Sequence, residues 1–362
     1  MSQPSILVMN AGSSSIKTAL FDRTLSETLR LEATGIGSNT GQLKVADQKQ
    51  ALPRPDHASA LAAIIGAIAQ RGIDMADLDA VAHRVVHGGT DLTRAARITP
   101  QVHAAITACI PLAPLHNPHH LAAIDAVQAT APDLLQCASF DTAFHATIPP
   151  LAYRFALPDQ PNLTGLRRYG FHGTSYAALV QALPQQSTTL PARLLALHLG
   201  NGASLCAIKD GRSVATTMGY SPLSGLTMGT RAGEIDAGAV LRMVRDLGID
   251  ETDHLLHYGS GLLGLSGLSS DMRKLEQSGS QDAQFAIDHF CYWITRQAGS
   301  LVAAMGGIDA IAFTGGIGEN ADQIRAAITD SLAWLGDIPS YIVPAREERF
   351  IAQEALTLIE NP

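Results

Sequence analysis

The sequence predicts a duplicated α/β protein of two halves, on three observations. A chain of 362 residues exceeds what one hydrophobic core commonly serves. A strand, a Gly/Ser-rich turn and a second strand occur twice, in residues 5–21 and 192–216; placing Gly12 on Gly202 brings Ser14 onto Ser204. Helical and strand-like stretches alternate, with no low-complexity linker, so the halves are expected to face each other across a cleft.

Each element has a local reason. Residues 5–9 and 16–21 read as strands joined by the Asn-Ala-Gly-Ser-Ser turn. The polar stretch with Gly35, Gly37 and Gly41 reads as hairpin and loop. Residues 56–71 read as a helix capped by Asp56, with Leu61, Ile64, Ile65 and Ile68 on one stripe. A strand over 79–89 ends at two glycines, and helices over 100–110 and 118–130 each open with proline. "LLQCASFD" (134–141) reads as a buried strand ending in aspartate. In the second half, "KDGR" closes a hairpin. Residues 284–305 read as a long helix with Ile287, Phe290, Ile294 and Leu301 inward, stopped at Gly306-Gly307. Residues 308–320 read as strand and glycine turn before a further helix.

Composition excludes several function classes. The net charge of −8 and the lack of any Lys/Arg-rich run oppose nucleic-acid binding. The longest apolar stretch, residues 60–69, is too short to span a bilayer, and no signal peptide is expected. Four scattered cysteines without a CxxC fit free thiols in a reducing cytoplasm.

Three glycine turns (10–15, 200–204 and 315–319) each follow an apolar strand. Glycine lets backbone approach a ligand, and turn N–H groups can face phosphate oxygens. Tight hairpins alone would also use glycine, but three such turns favour a nucleotide. There is no G-x-x-x-x-G-K-[ST], and "GGIG" lacks the dinucleotide spacing. Lys17 is either a solvated strand lysine or a ligand for terminal phosphates. Arg84 stands in an apolar strand, where burial demands a partner. Arg231 lies in a glycine-rich loop, and His172 sits between an aromatic and a glycine. Asp141 is at a strand end, where α/β folds place functional residues, although a cap or turn role remains open. Glycine turns, carboxylates for a metal, and cations around a moving phosphoryl group fit phosphoryl transfer.

Ordered blocks then resemble the acetate kinase family from residue 5 to about 352. They are "NAGSSSIK", "AHRVVHGG", "APLHNP", "FDTAFHATIPP", "RRYGFHGTS", "HLGNGAS", "YSPLSGLTMGTRAGEID", "GLLGLSGLSSDMR", "FTGGIGEN" and "PAREERFIA". The resemblance implies the duplicated actin-like ATPase fold shared with sugar kinases, Hsp70 and actin, its two domains facing across a nucleotide cleft. It implies an N-terminal domain of residues 1–142 plus 348–362 and a nucleotide-binding domain of residues 143–347. The implied reaction is reversible transfer of the ATP γ-phosphoryl group to acetate, direct and in line, with Mg²⁺ or Mn²⁺. A homodimer in the cytoplasm is implied as well.

Matched residue by residue, the resemblance implies Asn10 and Glu347 for the metal, with Asp141 in the magnesium and catalytic set. The choice of Glu347 over Glu348 rests on matching "REERFIA" alone. Arg84 binds the substrate carboxylate or the transferring group, and His172 and Arg231 stabilise the transition state. Val86, Leu115, Phe171 and Pro222 line the methyl pocket, with His116 beside the substrate. Lys17, residues 198–202 (His198, Leu199, Gly200, Asn201, Gly202), Asp271-Met272-Arg273 and residues 315–319 (Gly315, Gly316, Ile317, Gly318, Glu319) serve the nucleotide. Valine at 86 leaves less room than propionate wants, which favours acetate. Propionate kinase is the neighbouring alternative, and a non-catalytic nucleotide-binding regulator the distant one. Pyrophosphate stays open as donor. Against the family, segments 30–52 and 336–345 look shortened.

Overall fold

The computed structural model describes residues 5–12 and 14–361, so Ser13 of the first turn lies outside the described residues. The chain forms two compact units, Met1–Phe144 with Arg346–Pro362, and His145–Ala345.

The first unit contains β1 (Ile6–Ala11), β2 (Ser15–Phe21), β3 (Glu27–Thr34), β4 (Thr40–Val45), β5 (Gln48–Pro53), β6 (Ala80–Val85), β7 (Ala96–Arg97) and β8 (Gln136–Phe140). They form one sheet in the order β5-β4-β3-β2-β1-β6-β8-β7. β1, β6 and β8 run parallel, whereas β1 to β5 form an antiparallel meander. The expected hairpin and loop after β2 is therefore three strands; β5 is almost wholly exposed at the sheet edge, so it lacks the buried alternation that marks a strand.

Both faces of the parallel part are covered, which is why β1 opens as a continuous apolar run and β6 as Ala80-Val81-Ala82. Leu7, Met9 and Val81 pack with Leu61, Ile64, Ala123 and Val127 of the helices His57–Ala69 and Asn117–Thr130. Ile6, Val8, Ala82 and Cys137 pack on the opposite face with Ile351, Ala352 and Ala355 of the helix Glu347–Glu360. Asp56 caps the first of these helices in a capping box with Ser59, as expected from the sequence.

The second unit contains β9 (Arg193–Leu199), β10 (Ala203–Lys209), β11 (Arg212–Thr216), β12 (Ala310–Thr314) and β13 (Ser340–Ile342), ordered β11-β10-β9-β12-β13. Its strand senses repeat those of β3-β2-β1-β6-β8: two antiparallel steps on one side of the first strand and two parallel steps on the other. The duplication read from two turns thus extends through five strands. The helix Gln281–Met305 packs on β10, with Ile287, Phe290, Ile294 and Leu301 buried and Gly306 ending it in the left-handed region at φ 75°.

The third expected glycine turn is instead a short helix, Gly315–Asn320, followed by the helix Asp322–Ser331. Gly315 at φ 81° makes the reversal that starts it, and a Cβ there would lie 2.7 Å from the Leu199 carbonyl oxygen.

Candidate active site

In the first unit, strand parity builds the site. Side chains alternate faces along a strand. Asn10 therefore shares the face of Val8, Arg84 that of Ala82, and Asp141 that of Cys137. All three stand at the carboxyl ends of parallel strands, where α/β sheets gather functional groups. Arg84 donates from Nε to Asp141 Oδ1 at 3.0 Å and from Nη2 to Oδ2 at 2.6 Å. Its Nη1 donates to Asn10 Oδ1 at 3.3 Å, and Glu347 Oε2 is 3.9 Å from Nε. Burial opposes the Arg84 charge, but the Asp141 and Glu347 carboxylates outweigh it and raise its pKa. Glu347 opens its helix, where an anion also meets the favourable end of the helix dipole. Its neighbour Glu348 pairs instead with Arg30 at 3.4 Å.

Nearby, Asn117 holds the two sequence blocks that carry Val86, Leu115 and His116. Its Oδ1 accepts from the His87 N–H at 3.3 Å, and its Nδ2 donates to the His87 carbonyl at 3.1 Å. The sequence reading missed Asn117 as a clamp, though "LHNP" contained it. Val86 is buried, and Leu115 and His116 are half-buried. Lys17 projects from β2 opposite Glu32, 3.5 Å away, with about half of its side chain exposed.

The second unit assembles a different cluster. His172 precedes the helix Gly173–Ala182 in the left-handed region, φ 59°, a conformation that strains a non-glycine residue. Its ring stacks on His198 of β9, with centroids 4.1 Å apart. Each Nδ1 meets a serine at 2.8 Å: Ser204 for His172, Ser175 for His198. A Cβ on Gly202 would lie 3.2 Å from His172 Nε2 and 3.7 Å from Arg231 Nη1, so the turn after β9, His172 and Arg231 converge. Phe171 is buried, and its carbonyl accepts from His145 Nε2 at 2.9 Å.

Arg231 differs from Arg84 in charge balance. Its Nη1 donates to the Pro222 carbonyl at 3.1 Å, and among the described residues no carboxylate pairs with it. Burial lowers its pKa. An uncompensated, largely desolvated guanidinium is unfavourable by itself and favours a bound anion.

The remaining nucleotide candidates are tied to backbone. Glu319 Oε1 accepts from the Gly315 and Ala345 N–H groups at 3.1 and 2.9 Å. Asp271 caps the helix Met272–Ser278 and pairs with Arg273 at 2.8 Å. The Asn201 carbonyl accepts from the Gly229 N–H at 2.9 Å.

Residues 5–353 match the profile of the acetokinase family. The chain belongs to the acetokinase family. It is 40% identical to an acetate kinase of Nitrobacter hamburgensis, covering 98% of this chain and 96% of that one. It is 45% identical to an acetate kinase of Rhodopseudomonas palustris over 91% and 87%. The crystal structure of Porphyromonas gingivalis acetate kinase superposes with a TM-score of 0.90 at 33% identity, covering 99% and 100% of the two chains. A propionate kinase from Francisella tularensis gives 0.91 at 35% identity over 98% and 99%. As an acetokinase, the chain has the duplicated α/β kinase fold expected from its sequence and is a phosphotransferase whose acceptor is a carboxyl group. Acetokinases use ATP and ADP, with a divalent metal.

Proposed function

We propose that the chain transfers the γ-phosphoryl group of ATP to acetate, in line and reversibly, with Mg²⁺ as the metal. The observation that carries this reading is the contrast between its two arginines: Arg84 inside an acidic cluster, and Arg231 without a carboxylate. Arg84 binds the acetate carboxylate. Arg231 and His172 offset the charge that develops on the equatorial phosphoryl oxygens. Acetate is ionised at neutral pH and is itself the nucleophile, so no strong general base is needed. Rate enhancement comes from positioning and charge stabilisation.

The acidic cluster fits a hard cation. Asp141, Glu347 and Asn10 supply oxygen donors, and among the described residues no cluster of three or more His, Cys, Asp or Glu side chains is suited to a metal. That donor set suits Mg²⁺, which takes one or two carboxylates and completes its shell with water and substrate phosphates. When bound, Mg²⁺ would neutralise phosphate charge. Lys17 and residues 198–202, 271–273 and 315–319 serve the nucleotide, and Val86, Leu115, His116, Phe171 and Pro222 the acetate side.

A homodimer in the cytoplasm completes the proposal. The helix Ala237–Leu247 buries none of its residues, and Leu241, Leu247 and nearby Ile249 are exposed, a surface that favours association. The cysteines are buried thiols. Among the described residues no helix is long and apolar enough to cross a membrane. A coupled assay with acetate, propionate and butyrate, each with ATP or pyrophosphate, tests the activity. Acetate with ATP is expected to give the highest kcat/KM; a higher value for propionate, or for pyrophosphate as donor, would overturn the assignment. Sedimentation of the wild type and Leu241→Glu tests the dimer, which the added charge should weaken.

A further inference from the structure

His172 is held by more than its own backbone. Ser204 Oγ lies 2.8 Å from His172 Nδ1 and 2.6 Å from Tyr176 Oη, and both Ser204 and Tyr176 are fully buried. These bonds link a strand of the sheet, the first turn of the helix Gly173–Ala182 and the imidazole. One residue before His172, the Phe171 carbonyl is fixed by His145. The carbonyl can only accept, so His145 Nε2 carries a proton, and Nδ1 is hydrogen-bonded to Ser213 Oγ 2.8 Å away. A Cβ on Gly170 would lie 2.7 Å from the His145 ring, so backbone and ring are in close contact there. The peptide leading into the strained residue is therefore pinned.

The direction of the hydrogen-bond chain sets the form of His172. Burial pushes the Tyr176 phenol well above its ordinary pKa, so it keeps its proton. A phenol is a stronger donor than an aliphatic alcohol, which favours Tyr176 as the donor in its 2.6 Å bond to Ser204. With Tyr176 as donor, the Ser204 proton is left for Nδ1. Donor-to-acceptor chains of this kind reinforce themselves in a buried setting.

We propose that Tyr176 and Ser204 are positioning residues that hold His172 as the neutral tautomer with its proton on Nε2. That nitrogen faces the Gly202 turn and shares it with Arg231. A proton there makes His172 a hydrogen-bond donor toward an anionic oxygen; the opposite tautomer would present a lone pair. The inference rests on the reading of His172 as a stabiliser of the transferring phosphoryl group. His198 stacks on the same ring and is held in turn by Ser175, which limits rotation of the imidazole.

The test reads the tautomer and the kinetics separately. Full-length protein labelled with ¹⁵N in histidine is compared with His172→Gln, which identifies the His172 signals among the 13 histidines. Wild type should show Nε2 protonated and Nδ1 as a hydrogen-bonded acceptor. Ser204→Ala and Tyr176→Phe should each shift the Nδ1 signal. Each should lower kcat on the order of tenfold through loss of orientation while both KM values stay in place. Tyr176→Phe removes one oxygen from a packed ring and carries the test if Ser204→Ala does not fold. A wild-type signal with Nδ1 protonated would overturn the proposal. So would variants in which the Nδ1 signal stays unchanged. If the signals shift while kcat holds, and His172→Gln also keeps its turnover, the positioning stands and the catalytic reading of His172 falls.

Discussion

Replacing Asp141 by asparagine tests the first-unit cluster most directly. Both carboxylate oxygens are engaged by Arg84, at 3.0 and 2.6 Å, and only 2% of the side chain is exposed. Asparagine keeps the shape but turns one acceptor into a donor facing a guanidinium N–H. Losing one charge-assisted hydrogen bond costs about 1.5–3 kcal/mol. A buried pair broken outright would cost about 3–5 kcal/mol. The lower range applies because Asn10 remains 3.3 Å and Glu347 3.9 Å from Arg84. For a unit of this size each kcal/mol shifts Tm by about 2–4 °C, so a fall of roughly 3–12 °C is expected. The effect on chemistry should be larger, on the order of 10²–10³ in kcat, if Asp141 orients the charges around the moving group. Thermal denaturation and a coupled acetate assay on one preparation separate the two effects. A folded Asp141→Asn enzyme with near wild-type kcat would remove Asp141 from the mechanism. An unchanged Tm would refute the energetic account of its pairing.

Lys17→Ala should raise the KM for ATP more than the KM for acetate. It should change stability by no more than about 0.5 kcal/mol, because its pair with Glu32 is half-exposed; wild-type kinetics would remove Lys17 from the phosphate contacts. Val86→Ala should improve kcat/KM for propionate relative to acetate by about 1 kcal/mol, the worth of one buried carbon, and unchanged selectivity would put Val86 outside the acceptor pocket. Burial pushes His83 down to about 4 despite its bond to Gln136. The unfolded chain then binds a proton below about pH 6.5 that the folded chain refuses until about pH 4, so stability is full above that window and falls by about 1.4 kcal/mol per pH unit within it. Urea midpoints measured between pH 7 and 4 should show this slope, and His83→Gln should remove one proton's share of it.

Residues governed by local chemistry were legible in the sequence. Asp56 could be read as a cap because its partner is three residues away. Arg84 stood out as a charge within an apolar strand, and the structure supplies the partners that burial demands. The Gly12 and Gly202 turns exposed the duplication because the following strands also match. Other features depend on distant partners. Ser204 bonds to residues 28 and 32 positions away, so no short motif announces it. The helix Gly315–Asn320 was hidden by three glycines, which favour a turn. The segment between 237 and 278 gave no element in the sequence reading, yet it holds four helices. The first of them buries nothing, so its apolar residues do not mark an internal core face.

The helix Glu347–Glu360 gives the chain a temporal order. It closes one face of the first sheet through Ile351, Ala352 and Ala355, and it brings Glu347 to Arg84. Both contributions come from residues that follow, in sequence, every strand of the first sheet. A nascent chain stopped before residue 346 would leave Ile6, Val8, Ala19 and Phe21 without their cover and would hold an incomplete acidic cluster. Docking of this helix therefore couples cover of the sheet's apolar face to completion of the charge arrangement around Arg84.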